Sequence, residues 1–267
     1  MRERLADNAC SILTHAAVEV RLSEVADLRD APGPATAPLL PKRFLRHCDE
    51  QTVVGMAAVL RAIDRLPSPR PSFESWGVLA ASCQPGRIMG AAAVIGTRKS
   101  GSQGVSPHVV PQCSLHSQAS AVSVALSMHG PNFGIGGGPE AFDEGLLAAC
   151  SMVLQPHWLI LTAWESEPSL DADGSPVTDP VCRGLAVALL PGEVETSEAT
   201  IAVEPCRGHD DAASREVFPS MAARIRSLAE SLSGDAAEAR TKLFLRHGFT
   251  LNLQRSEARS PLALEAA

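Results

Sequence analysis

Apolar positions along this chain repeat in two ways, and the two alternate. Short contiguous or alternating apolar runs occur at 10–22 (CSILTHAAVEVRL), 76–82 (WGVLAAS), 132–135, 158–163 (WLILTA), 183–190 (RGLAVALL) and 199–204 (ATIAVE). Runs of this length, bounded by glycine, proline and polar residues, predict strands, and the contiguous ones predict strands buried on both faces. The last two are joined by an acidic turn and suggest a hairpin. Between the runs the period lengthens to that of a helix. In 49–65, Val53, Met56, Ala57, Leu60 and Ile63 share one face, and Asp49 and Glu50 suit the positive end of the helix dipole. The prolines of PSPRP at 67–71 stop that helix. A short helix is predicted around 88–95, an amphipathic one at 216–232 (Met221, Ile225, Leu228, Leu232), and a further one from 236 to about Arg246.

The segment 106–165 carries the densest pattern. A helix capped by Ser114 or Ser117 runs to about Met128, and His129-Gly130-Pro131 ends it. Ala119, Ala121, Val122, Val124, Ala125 and Leu126 cover nearly all of its sides, which predicts a helix buried on more than one face. After strand 132–135, Gly136-Gly137-Gly138 turn the chain. Pro139 suits a first helical position, and Glu140, Asp143 and Glu144 favour the N-terminus of a helix reaching Leu154. Strands alternating with helices at this spacing predict an α/β fold with a mixed, mostly parallel sheet.

Composition narrows the function. The chain has 267 residues, 45% of them hydrophobic, with a net charge of −7, no tyrosine and 4% aromatics. Neither a basic run nor stacking platforms are present, so nucleic acid is not an expected partner. No apolar run reaches 18 residues, so no membrane span is expected. MRERLADNAC at the start lacks the apolar core of a signal peptide. The seven cysteines are scattered without a CxxC pair, which predicts reduced thiols and a cytoplasmic protein.

At Ser106–Phe133 the sequence resembles the β-ketoacyl synthases, the thiolase-fold condensing enzymes of fatty-acid and polyketide synthesis. The family carries SP-x-x-x-P, a helix, and then RGPN with an aromatic residue. Here the matching residues are Ser106-Pro107, Pro111, the helix 114–128 and His129-Gly130-Pro131-Asn132-Phe133. Supporting pattern extends over about residues 10–205: 43–63 resembles the family's first long helix and 76–82 its second strand. WLILTAWE (158–165) stands where the family has an apolar strand, and 183–191 where it has a Gly-Ala-rich one. The resemblance implies the N-terminal half of a duplicated fold. The expected division is a ketosynthase-like domain at 1–210 and a helical extension and tail at 211–267.

The resemblance also implies where the chain departs from the family. Active members place an acyl-accepting cysteine at the helix start after the Gly-Pro-Asn-aromatic motif, where the helix end lowers its pKa. Counting from Gly130-Pro131-Asn132-Phe133, that position is Pro139, and the next cysteine is Cys150. The two histidines that drive decarboxylation belong to the family's C-terminal half, which this length is expected to lack. His209 and His247 lack their flanking residues.

The reading that follows is a non-catalytic, chain-length-factor-like subunit. An active ketosynthase would be its partner, an acyl carrier protein a further one, and a self-dimer the fallback. Phe133, Gly134, Gly136, Gly137, Gly138, Pro139 and Glu140 would form a pocket or interface wall, with no cofactor and no metal. Two other classes stay open: an acyl-transfer or hydrolytic enzyme using Cys113 with His116, and an acyl or acyl-carrier binding module. The glycine run lacks a P-loop lysine and does not complete GxGxxG, so it reads as a packed elbow. Asp171, Asp173 and Asp179 lack the twelfth-position glutamate of an EF-hand, and His209-Asp210-Asp211 falls short of a metal-ligand set.

Overall fold

The computed structural model describes residues 9–37, 40–152, 155–192, 194, 197–206, 218–234 and 240–255. Strand β1 (Ala9–Arg21) is the longest element of the sheet, and most of its residues are buried. Next come α1 (Val25–Asp30), α2 (Glu50–Asp64), β2 (Gly77–Cys83), α3 (Arg87–Ser100), α4 (Val109–Gln112) and α5 (Ser117–Ala125). They are followed by β3 (Asn132–Gly137), α6 (Ala141–Ser151), β4 (His157–Trp164), β5 (Val181–Pro191) and β6 (Ala199–Pro205). Helix α7 (Met221–Ser233) and strands β7 (Arg240–Leu245) and β8 (Phe249–Arg255) complete the order.

Among the described residues, eight strands join one sheet in the order β3-β2-β4-β5-β1-β6-β8-β7. The sheet is mixed, as expected, but mostly antiparallel. Among the described strands, the parallel pairs are those of β2 with β3 and with β4. The pairs β4–β5, β1–β5, β1–β6, β6–β8 and β7–β8 are antiparallel. A parallel neighbour needs a crossover. Helices α3–α5 supply one between β2 and β3, and α6 supplies one between β3 and β4. Residues 165–180 hold no helix, only a turn with a Leu170–Pro176 bridge, so β5 returns antiparallel.

Two other expectations change. Strands β5 and β6 do not form a hairpin, because β1 lies between them, pairing with β5 along Ser11–Arg21 and with β6 along Ala9–Ile12. The helix expected from 236 to about Arg246 is strand β7 over its described part. It forms a hairpin with β8 through Gly248, which has φ +76°. Leu243 and Leu245, then Leu251 and Leu253, alternate as strand residues do. The segment after residue 210 therefore extends the sheet with two strands and is not wholly helical.

Contiguous apolar strands are explained by the layers. In β2, Leu79 and Ala81 face one cluster while Val78 and Ala80 face the other. Leu159 and Leu161 against Trp158 and Ile160 repeat the arrangement in β4, and so do Leu185 and Val187 against Ala186 and Ala188 in β5. Helices α6 and α7 cover the first face, α2 and α5 the second. The buried central helix is α2, with 12 of its 15 residues buried. It sits so close to β5 that a Cβ on Gly184 would lie 2.8 Å from Val54 Cγ1. Each of Val53, Met56, Leu60 and Ile63 contributes about 1.5–3 kcal/mol by burial. The helix expected at 114–128 is shorter and only half covered. Helix α5 buries Ser117, Gln118, Ala119 and Val122, while Val124 is 66% exposed. It lies over the β3 edge, where no outer layer covers it among the described residues.

Candidate functional site

Because β2, β3 and β4 run in parallel, their carboxyl ends meet at one end of the sheet, the usual place for chemistry in such folds. Strand β3 ends there in the elbow. Gly136 and Gly137 have φ of +90° and +104°, a region that disfavours residues with a side chain. Gly134 lets the backbone of Leu115 cross the strand; a Cβ there would stand 2.0 Å from the Leu115 carbonyl oxygen. Helix α6 begins at Ala141 with Glu140 as N-cap, so Pro139 stands one residue before the cap and not at the first helical position.

Charges hold the elbow against the C-terminal elements. Asp143, in the first turn of α6, is fully buried. Arg224 of α7 donates to both its carboxylate oxygens, at 2.6 and 2.7 Å, and to the Phe244 carbonyl at 2.9 Å. The Arg246 backbone N–H donates to Asp143 at 3.1 Å, and its guanidinium donates to Glu140 at 3.1 Å. Arg224 also lies over the Phe142 ring, 4.3 Å from its centroid. Glu140 is thus engaged with Arg246 and Asp143 with Arg224, so the carboxylates of this helix end are largely neutralised from the C-terminal elements.

Beneath the elbow lies a buried polar cluster. Gln118 Oε1 accepts from Ser82 Oγ at 2.8 Å and from Thr162 Oγ1 at 3.3 Å, and its amide donates to the Gln51 carbonyl at 3.1 Å. Gln51 donates to the carbonyls of Cys83 and Gln84. The cluster ties α2 and α5 to the ends of β2 and β4.

No thiol here is activated. The nearest is Cys83, in register with Gly137. Burial raises its pKa, and Glu140 and Glu167 raise it further. Cys150 lies at the opposite end of α6, 2% exposed, with its pKa pushed well up by its contact with Cys10 and by burial. Cys113 donates weakly to the Gly86 carbonyl at 3.6 Å, and burial followed by Asp49 and Glu50 raises its pKa. His116 caps α5 by position only. This pair therefore lacks the depressed thiol pKa that a nucleophile needs. Phe133 is 48% exposed beside the elbow.

The acidic loop is structural. Asp171 accepts from the N–H groups of Asp173 and Ser175, Asp173 pairs with Lys99, and Asp179 accepts from Ser23. Among the described residues no His/Cys/Asp/Glu group could hold a metal ion. His209-Asp210-Asp211 and the side chain of His247 lie outside the described residues. Sequence reasoning missed Cys83, Gln118, Arg224 and Arg246. The lone arginine on the otherwise apolar face of 216–232 was the signal for Arg224; strand register, which brings Cys83 to the elbow, leaves none.

No protein-family model matches the sequence, and no curated protein matches it significantly. Solved structures do match. One is a chain of the ketosynthase ApeO in complex with its chain length factor ApeC from Xenorhabdus doucetiae. It is 14% identical, has a TM-score of 0.57, and the match covers 92% of this chain and 99% of that one. A chain of the AntDE:AntF assembly, a type II PKS acyl-carrier protein in complex with its ketosynthase, is 12% identical with a TM-score of 0.55, covering 94% and 99%. A chain of the ishigamide ketosynthase/chain length factor is 14% identical with a TM-score of 0.50, covering 93% and 100%. This chain therefore has the thiolase-like fold of the ketosynthases, and the likeness is not confined to residues 10–205.

Proposed function

We propose that this chain is a chain-length-factor-like subunit of polyketide synthesis that has no condensing activity of its own and pairs with an active β-ketoacyl synthase in the cytoplasm. Among the described residues no helix is long and apolar enough to cross a membrane, which accords with that setting. The observation that carries the proposal is strand β3. Among the described residues it closes one side of the sheet with its outer edge unpaired, and it runs into an elbow without a nucleophile. Phe133, Leu115 and Val124 stand exposed around it. Soluble monomers avoid open edges flanked by apolar side chains, because such edges recruit another strand. In this reading Phe133, Gly134, Gly136, Gly137, Gly138, Pro139 and Glu140 form the wall that meets the ketosynthase, and an acyl carrier protein visits the pair. The chain length factor and carrier protein in the matched assemblies support the reading.

The test is condensation of acyl and malonyl thioesters, assayed with the isolated chain, with a β-ketoacyl synthase, and with both. Product is expected only where the synthase is present, with a product-length distribution that changes when this chain is added. Pro139→Cys should not confer activity, because no described acid–base partner stands beside that position. Turnover by the isolated chain refutes the proposal.

A further inference from the structure

A second constellation lies at the other end of α7 from the elbow's charges. His15 of β1 is 6% exposed. Its Nδ1 is 2.7 Å from Glu198 Oε2, and its Nε2 is 3.1 Å from Ser233 Oγ. One tautomer satisfies both contacts: a neutral ring whose Nδ1–H donates to the carboxylate and whose Nε2 accepts the serine hydroxyl. The backbone on both sides of the contact is fixed as well. Arg65 donates to the His15 carbonyl at 2.8 Å, and the Glu198 N–H donates to the Ile12 carbonyl at 2.7 Å, which fixes the carboxylate beside β1. Ser233 is the last residue of α7 and is exposed, and Leu232 beside it is buried as the anchor.

Ser233 opens into a cleft of about 420 Å³ between β1, β5 and α7. Its walls include Ala17, Val18, Ile225 and Ala229, with Arg183 and Arg226 among its charged residues. A volume of that size and lining takes a short acyl chain.

We propose that Ser233, His15 and Glu198 act as nucleophile, base and positioning carboxylate, and that this cleft accepts an acyl group from an activated ester or thioester. The roles follow the geometry that defines such triads on unrelated folds. Ser233 Oγ attacks the acyl carbonyl while His15 Nε2 takes its proton. The imidazolium is stabilised by Glu198 and by the carbonyl end of α7, where a cation is favoured. The proton then passes to the departing alcohol or thiol as the acyl–oxygen or acyl–sulfur bond breaks. Acyl-Ser233 and a free alcohol or thiol remain. Water attacking the ester by the same route releases the acid and restores the serine. No oxidant or metal enters the balance. The proposal is independent of the partner-subunit reading, since none of these residues lies in the elbow or at the β3 edge.

The experiment uses the full chain with p-nitrophenyl acetate and a fluorophosphonate, read by intact mass and peptide mapping. One adduct is expected, on the peptide holding Ser233. Ser233→Ala, at an exposed helix end that should keep the fold, is expected to lose it. His15→Gln is expected to slow labelling by about 100-fold or more. Glu198→Gln is expected to lower the rate of Ser233 acylation at saturating p-nitrophenyl acetate with little change in KM, a split that a purely structural role would not produce. Absence of a Ser233 adduct in the wild type, or equal labelling of Ser233→Ala, overturns the proposal.

Discussion

Gly136→Ala tests the elbow most sharply. Gly136 has φ +90°, where an added side chain costs about 1–3 kcal/mol in backbone strain. Its Cβ would also stand 2.3 Å from Ala141 Cβ and 2.8 Å from Ala141 Cα. Ala141 is fully buried at the first turn of α6, so backbone must move, at about a further 1–3 kcal/mol. The sum is roughly 2–6 kcal/mol, and at about 2–4 °C per kcal/mol the melting temperature should fall by roughly 4–24 °C. Gly137→Ala meets the same φ strain but touches only the end of the Leu115 side chain, at 3.1 Å, so its loss should be smaller. Gly138→Ala approaches only Glu140 Oε2, the end of a flexible side chain, and should stay within about 0.5 kcal/mol of wild type. Thermal denaturation by circular dichroism should rank the loss as 136, then 137, then 138. Wild-type melting of Gly136→Ala would refute the elbow geometry.

Arg224→Met leaves Asp143 buried without its bidentate partner and should cost about 3–5 kcal/mol in chemical denaturation; Asp143→Leu added to it should recover a large part, though the Arg246 N–H stays unpaired. His157 is 1% exposed, and burial lowers its pKa below 6.5, so the unfolded chain binds the proton first as pH falls. Its contribution is therefore complete above about pH 6.5 and is lost progressively below it, down to the folded-state pKa. The slope of stability against pH in that window should flatten in His157→Gln. With their pKa values raised by burial first, Cys83 and Cys113 should react with iodoacetamide near pH 7 more slowly than a free thiol does; faster modification of Cys113 would revive it as a nucleophile.

What the sequence disclosed follows from what local pattern encodes. Helix α2 and strands β2, β4 and β5 were legible, because burial on several sides writes contiguous apolar residues into the chain. The turn glycines were legible because few other residues adopt their φ. Adjacency was not: nothing in 183–204 says that β1 inserts between β5 and β6, and nothing in β2 says that Cys83 reaches Gly137. The β7–β8 hairpin was misread because helix-forming residues lead into it and the alternation of Leu243, Leu245, Leu251 and Leu253 is short. For α5, apolar residues on all sides suggested full burial, whereas the structure leaves Val124 open at the sheet's edge. Ser233, His15 and Glu198 come from three distant segments and meet only in the fold.

The central claim is that the β3 edge belongs to a ketosynthase interface. It is tested most directly by light scattering of this chain, alone and mixed with a β-ketoacyl synthase from the same genome. A stable one-to-one complex is predicted, with an interface on the order of 2,000 Å² as in obligate pairs. Val124→Glu with Phe133→Glu, both exposed in the single chain, should abolish the complex without lowering the melting temperature of the isolated chain. A monomer that binds no ketosynthase at micromolar concentration, or a complex indifferent to the two charges, would contradict the claim.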